Sequence, residues 1–123
     1  MQIPNLYIAE TNHGRGVFTA APISKGSVIE VCHVIIIPAE ELPIIHRTHL
    51  HDYYFLWGKD MTACAIALGY GSLYNHAVQP NANFILDLAN DTIDIEAITD
   101  ISPGEEITIN YNGEPGDKTK LWF

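Results

Sequence analysis

Apolar positions in this chain recur most regularly with a step of two. Ile93, Ile95 and Ala97 fall on one side with Asp94 and Glu96 between them, and Ile107 and Ile109 repeat the pattern beside Thr108 and Asn110 after the turn Ser102-Pro103-Gly104. Such alternation predicts half-buried strands. From Val28 to Ile37 the residues are so rich in β-branched side chains that the run reads as a strand, and Pro38 ends it. Leu6 to Ala9 and Gly16 to Thr19 flank the turn Asn12-His13-Gly14-Arg15, a hairpin pattern, and Ser24-Lys25-Gly26 is a second turn. Helical signals are few. Pro38-Ala39-Glu40-Glu41-Leu42 suits a short helical turn that Pro43 is expected to limit. Residues 44 to 60 carry His46, His49, His51, Tyr53, Tyr54, Phe55 and Trp57 without a clean period and read as an insert packed on a β scaffold. The tail is loop material that ends, unexpectedly for its polarity, in Leu121-Trp122-Phe123. There are no internal repeats. The pattern as a whole predicts a β-rich fold with little helix.

Composition narrows the function classes. With 123 residues, 47% hydrophobic and 17% charged, the chain reads as one globular domain over residues 1–123, able to bury a core without disulfides or a structural metal. Its 15 Asp+Glu against 6 Lys+Arg give a net charge of -9, which repels phosphate backbones and draws in Lys/Arg-rich peptides. No nucleic-acid partner is expected. No basic start leads into an apolar stretch, and no run approaches the roughly 18 apolar residues of a membrane span, so a soluble, cytoplasmic protein with no membrane partner is predicted. Cys32 and Cys64 lie in no C-x-x-C arrangement. His46, His49, His51 and Asp52 lack the ordered ligand spacing of a zinc site, so no metal is expected.

Three segments could carry chemistry. Gly14-Arg15-Gly16 lies between two strand-like pieces, where paired glycines permit positive φ and close backbone approach to a ligand, although an ordinary hairpin turn would use the same residues. It fails the dinucleotide fingerprint, because Thr19 stands where the third glycine belongs. Tyr74-Asn75-His76-Ala77-Val78-Gln79-Pro80-Asn81 crowds two Asn amides, an imidazole and a proline together; Asn offers a donor and an acceptor suited to a purine edge, yet Asn and Pro also simply make turns. Gly104-Glu105-Glu106-Ile107-Thr108-Ile109-Asn110-Tyr111 is a turn, a strand and a tyrosine at its end. A buried tyrosine hydroxyl needs a partner and can supply a directed hydrogen bond.

In this order and together, these segments resemble the SET domain family of protein-lysine methyltransferases. The resemblance rests on Gly14-Arg15-Gly16-Val17-Phe18, on Ile23-Ser24-Lys25-Gly26-Ser27-Val28-Ile29-Glu30, on Asn75-His76 with Pro80-Asn81, and on Gly104 to Tyr111, and it runs from about Ile8 to Tyr111. It implies small curved β-sheets of the β-clip type, with a C-terminal knot-like threading that brings Asn75-His76 beside Tyr111. Residues 39–68 correspond to the family's variable region and residues 112–123 to a C-terminal tail. The cysteine clusters that flank the domain in some members are missing, which suits a minimal, free-standing SET domain.

The resemblance further implies transfer of a methyl group from S-adenosylmethionine to the ε-amine of a lysine in a basic protein such as a histone. The alternative is an inactive SET-like module that recognises a basic peptide or protein. Tyr111 takes the catalytic position. Gly14, Arg15, Gly16, Asn75, His76 and Tyr111 are the expected cofactor residues, with Trp122 as a flat cover for adenine. Tyr53, Tyr54 and Tyr74 are expected to line the lysine channel, where ring faces attract a methylated ammonium. Family members often carry Ser-Cys after Asn-His, where this chain has Ala77-Val78, and an Asp before the catalytic Tyr, where it has Asn110. A homodimer is left open, as is action on host or nuclear proteins should the source be a virus or pathogen.

Overall fold

The computed structural model describes residues 5–113 and 115–118. The opening hairpin is β1 (Leu6–Thr11) and β2 (Gly14–Thr19), paired antiparallel from Leu6↔Thr19 to Thr11↔Gly14. The β-branched run forms β3 (Val28–Ile37). A 3-10 turn over Ala39–Glu41 then leads into the one-turn helix α1 (Leu42–His46), so the chain continues helically past Pro43. Proline is harmless there because a first-turn N–H has no helical acceptor anyway.

A second 3-10 turn, His49–Asp52, precedes β4 (Tyr54–Trp57) and β5 (Ala63–Ala67). Part of the stretch expected to be an insert is thus ordinary sheet. A 3-10 turn at Gly71–Leu73 precedes the two-residue β6 (Asn75–His76), followed by β7 (Ala82–Asp87), β8 (Thr92–Ala97) and β9 (Glu106–Ile109).

The strands make a four-stranded sheet, β1-β2-β9-β6, and a five-stranded sheet, β4-β5-β3-β8-β7. Strand β3 curls the larger sheet, because its last four residues pair with β5 while its first half pairs with β8. Its register shifts between Val28 and Glu30, so Ile29 and Glu30 are buried in succession. A bulge of this kind breaks the alternation and re-aims the side chains that follow. The core collects the apolar faces of both sheets: Val17, Ile29, Ile93, Ile95, Ile107 and Ile109 are all fully buried. The alternation read around Ile93 and Ile107 therefore faces the core as expected.

The parallel pairing of β6 with β9, Asn75↔Thr108 and His76↔Ile109, joins segments over 30 residues apart in the chain. Just beyond it the Asn81 side chain acts as a surrogate strand. Its Nδ2 donates to the Glu106 carbonyl at 2.8 Å, and its Oδ1 accepts the Thr108 N–H at 2.9 Å. The C-terminal segment is tied to the same loop, with the Gly116 N–H donating to the Val78 carbonyl at 2.7 Å. Asn110 closes this crossing: its buried amide donates to the carbonyls of Val78 (3.3 Å) and Asp117 (2.9 Å), while its Oδ1 accepts the Asn112 N–H (3.0 Å). A carboxylate could not donate to either carbonyl.

Asn110→Asp should therefore destabilise the fold at neutral pH by about 3 kcal/mol, the order of a buried polar contact turned repulsive. Burial and the two carbonyls would raise the pKa of the new carboxyl above its ordinary value near 3.9. Part of the loss should therefore return as the pH falls from neutral toward about 4, where the carboxyl regains a proton to donate. Urea unfolding of the two proteins at both pH values checks this.

Candidate functional site

Strand β9 sits between β2 and β6, so it brings Gly14-Arg15-Gly16 and Asn75-His76 to its two sides. The Asn75 amide bridges them. Its Nδ2 donates to Glu106 Oε2 at 2.7 Å, with longer contacts to the Arg15 carbonyl at 3.3 Å and Thr11 Oγ1 at 3.4 Å. Gly16 permits this approach, since a Cβ there would collide with the Glu106 carboxylate and lie 3.0 Å from Asn75 Nδ2.

Tyr111 emerges two residues after β9 and is held from both ends. Its N–H donates to His76 Nδ1 at 3.0 Å and its hydroxyl donates to the Tyr74 carbonyl at 2.6 Å. Burial, reinforced by the negative charge of Glu106 and then of Asp52, pushes its phenol up to about 12. At neutral pH Tyr111 is accordingly a hydrogen-bond donor, not a phenolate.

Two cavities meet at this tyrosine. One, of about 210 Å³, is bordered by His13, Gly14, Arg15, Leu73 and Asn75. The other, of about 240 Å³, is walled by Tyr54, Phe55, Met61, Tyr74, Phe84 and Leu86. Asp52, Tyr53, Ser72 and Tyr111 line both. The first is edged with polar groups and backbone, and the second is mostly aromatic and aliphatic.

Most of the residues singled out in the sequence thus converge. Gly14, Arg15, Asn75 and Tyr111 border the polar cavity; Tyr53, Tyr54, Tyr74 and Tyr111 border the apolar one. Gly16 and His76 line neither. Gly16 is packed under Asn75, and the His76 ring faces the Tyr111 backbone, 5.2 Å from the Tyr111 ring. Trp122 lies outside the described residues. Among the described residues no group of three or more His, Cys, Asp or Glu is placed to hold a metal, and no helix is long and apolar enough to cross a membrane.

Residues 14–112 match the SET domain family. The chain belongs to the SET domain family of protein-lysine methyltransferases. This SET domain is 34% identical over 111 residues to a Schizosaccharomyces pombe histone-lysine N-methyltransferase described as specific for histone H3 lysine 37, covering 89% of this chain and 70% of that protein. Among solved structures it resembles a Plasmodium falciparum protein described as a candidate histone methyltransferase. That match has 33% identity and a TM-score of 0.69, over 87% of this chain and 92% of the other. A polycomb repressive complex 2 structure shares the fold at 22% identity and TM-score 0.71, over 86% of this chain but only 15% of its own. The mainly β architecture with curled sheets is the one these relatives share.

Several site residues of this SET domain escape a sequence reading. Asp52, which the sequence offered only as part of a cluster lacking zinc-site spacing, sits at the junction of the cavities, its Oδ1 2.7 Å from His51 Nε2, in a stretch without a period that could announce this place. Ser72 donates to the carbonyls of Tyr53 (2.9 Å) and Ala67 (3.2 Å), contacts no local pattern announces. Phe84 and Leu86 were findable, because Ala82, Phe84 and Leu86 alternate with step two along β7.

Burial lowers the pKa of His76 from its ordinary value near 6.5, which suits an Nδ1 that must stay unprotonated to accept the Tyr111 N–H. A base whose folded pKa is depressed stabilises the fold fully above its unfolded value. That contribution is lost as the pH falls from about 6.5 toward the folded pKa, where the unfolded chain binds the extra proton. His76→Asn keeps an acceptor near the Nδ1 position and does not titrate, so its thermal midpoint should fall less between pH 7.5 and 5 than that of the wild type. Equal slopes in differential scanning calorimetry would contradict the assignment.

Proposed function

We propose that this SET domain transfers a methyl group from S-adenosylmethionine to the ε-amine of a lysine in a basic protein segment such as a histone tail. The observation that carries the reading is the meeting of a polar and an apolar cavity at one protonated tyrosine. When bound, S-adenosylmethionine supplies the methyl group on a sulfonium cation.

The residues present fit that donor. The Arg15 side chain and the backbone of Gly14 can meet its carboxylate, the Asn75 region its polar rim, and the carboxylates of Asp52 and Glu106 suit its positive sulfur. The apolar cavity suits the lysine. A lysine side chain has a reference pKa near 10.4, so presenting it as the neutral amine at pH 7 costs roughly 4 to 5 kcal/mol in water. Walls such as Phe55, Phe84 and Leu86 disfavour the charged form by excluding water, while Tyr53, Tyr54 and Tyr74 offer ring faces to the methylated product. Tyr111 cannot act as a base when its phenol holds its proton, and its role is to orient the amine and the transferring methyl group. The net charge of -9 favours encounter with a basic segment.

Tyr111→Phe should lower methyl transfer to histone H3 roughly 100-fold, the scale of a misplaced reacting group, and leave S-adenosylmethionine affinity nearly unchanged. Tritium transfer from labelled donor and titration calorimetry measure the two quantities. Full activity in the variant would remove Tyr111 from the mechanism. Poor donor binding by the wild type would favour a binding module without turnover.

A further inference from the structure

Glu30 borders neither cavity and is only 2% exposed, yet it is a carboxylate with designed company. Its Oε1 accepts the Tyr74 hydroxyl at 2.7 Å and its Oε2 accepts the Tyr70 backbone N–H at 3.0 Å. The chain also folds tightly over it, for a Cβ on Gly69 (φ +66°) would collide with Oε2. Glu30 lies opposite Ile95 on the face of β3 that also buries Cys32, opposite Ile93, so regular strand alternation after the bulge points it inward.

Those two bonds fall at the two ends of one short segment. Between Tyr70 and Tyr74, Gly71 and Ser72 wall the apolar cavity, and Ser72 and Leu73 wall the polar one. The segment is therefore the partition between the cavities, and Asn75 follows directly. The Tyr111 hydroxyl rests on it through the Tyr74 carbonyl at 2.6 Å. Glu30, which borders neither cavity, holds both ends of this partition.

We infer that Glu30 is a positioning residue which, through Tyr74 and the Tyr70 backbone, fixes the partition and thereby the place of the Tyr111 phenol. The inference rests on the proposed role of Tyr111. Buried carboxyl oxygens that hold the Tyr74 hydroxyl and the Tyr70 N–H, with the Cys32 thiol beside them, are costly to leave half-satisfied, so the clamp has one low-energy arrangement, and a phenol hung on its far side inherits that precision. A shift of about 1 Å in such a group is enough to cost a large factor in rate.

The test compares Tyr74→Phe, which deletes one oxygen and keeps the ring, with Glu30→Gln, whose amide can accept only one of the two donors. Each is assayed beside Tyr111→Phe with histone H3 and S-adenosylmethionine. Both variants should lose about tenfold in kcat while the donor Kd, measured by calorimetry, stays within twofold. The double variant should lose little more than either single one, as expected of residues acting through one clamp. A kcat within twofold of wild type in either variant would overturn the inference if Tyr111→Phe is still inactive. If Tyr111→Phe is active as well, the fault lies with the role given to Tyr111. Loss of donor binding together with turnover in both variants would also overturn the inference, since Glu30 would then be holding up the fold and not the phenol.

Discussion

The site depends on a two-residue parallel pairing, Asn75-His76 against Thr108-Ile109. Parallel strands cannot be joined by a tight turn, and closing the chain between them costs entropy that two backbone pairs hardly recover, each net bond contributing about 1 kcal/mol. The pairing stands because its neighbours make it inevitable. Ile107 and Ile109 are fully buried on the core side, the Asn81 amide extends the ladder on β9, and the Ala77 N–H donates to the Ile109 carbonyl at 2.9 Å. The C-terminal segment then crosses over Val78 and is closed by Asn110. Once β6 lies on β9, Asn75, His76 and Tyr111 have no freedom to be elsewhere.

From that constraint follows the electrostatic division of the site. One side of Tyr111 is edged by the Arg15 cation and the Asn75 amide, the other by rings and aliphatic walls, and the Asp52 carboxylate stands where the two meet. The tyrosine between them is itself kept neutral by burial and by the negative charges of Glu106 and Asp52. A group so placed works by geometry, which is why its supports matter as much as its chemistry. Those supports are His76 at its backbone and Tyr74 at its hydroxyl, with Glu30 behind Tyr74.

Much of the scaffold was legible along the chain. The run Val28–Ile37 forms one strand over those residues, and Ile93, Ile95, Ile107 and Ile109 are all buried. Step-two alternation and β-branching are local properties that a single strand expresses by itself. Pro43 misled because its effect depends on where the helix starts, and the helix starts one residue earlier. Asn110 looked like a lost carboxylate, whereas in the fold it is a donor to two carbonyls that a carboxylate would repel. Strands β4 and β5 lay within a stretch dominated by the aromatic and His-rich sequence around them.

The order and spacing of Gly14-Arg15-Gly16, Asn75-His76 and Gly104 to Tyr111 carried the family by themselves, because each motif meets a local need: a turn, an amide, a tyrosine at the end of a strand. Folding in three dimensions alone decided which partners those groups meet. Asp52 and Ser72 become site residues by long-range contact, and Gly16 and His76 become supports for their neighbours. Glu30 shares the buried face of β3 with Cys32, and Ile29 is buried beside it only because the register shifts just before Glu30. A bulge is chosen by the packing of two sheets against each other, and a periodic pattern along one strand holds no record of it.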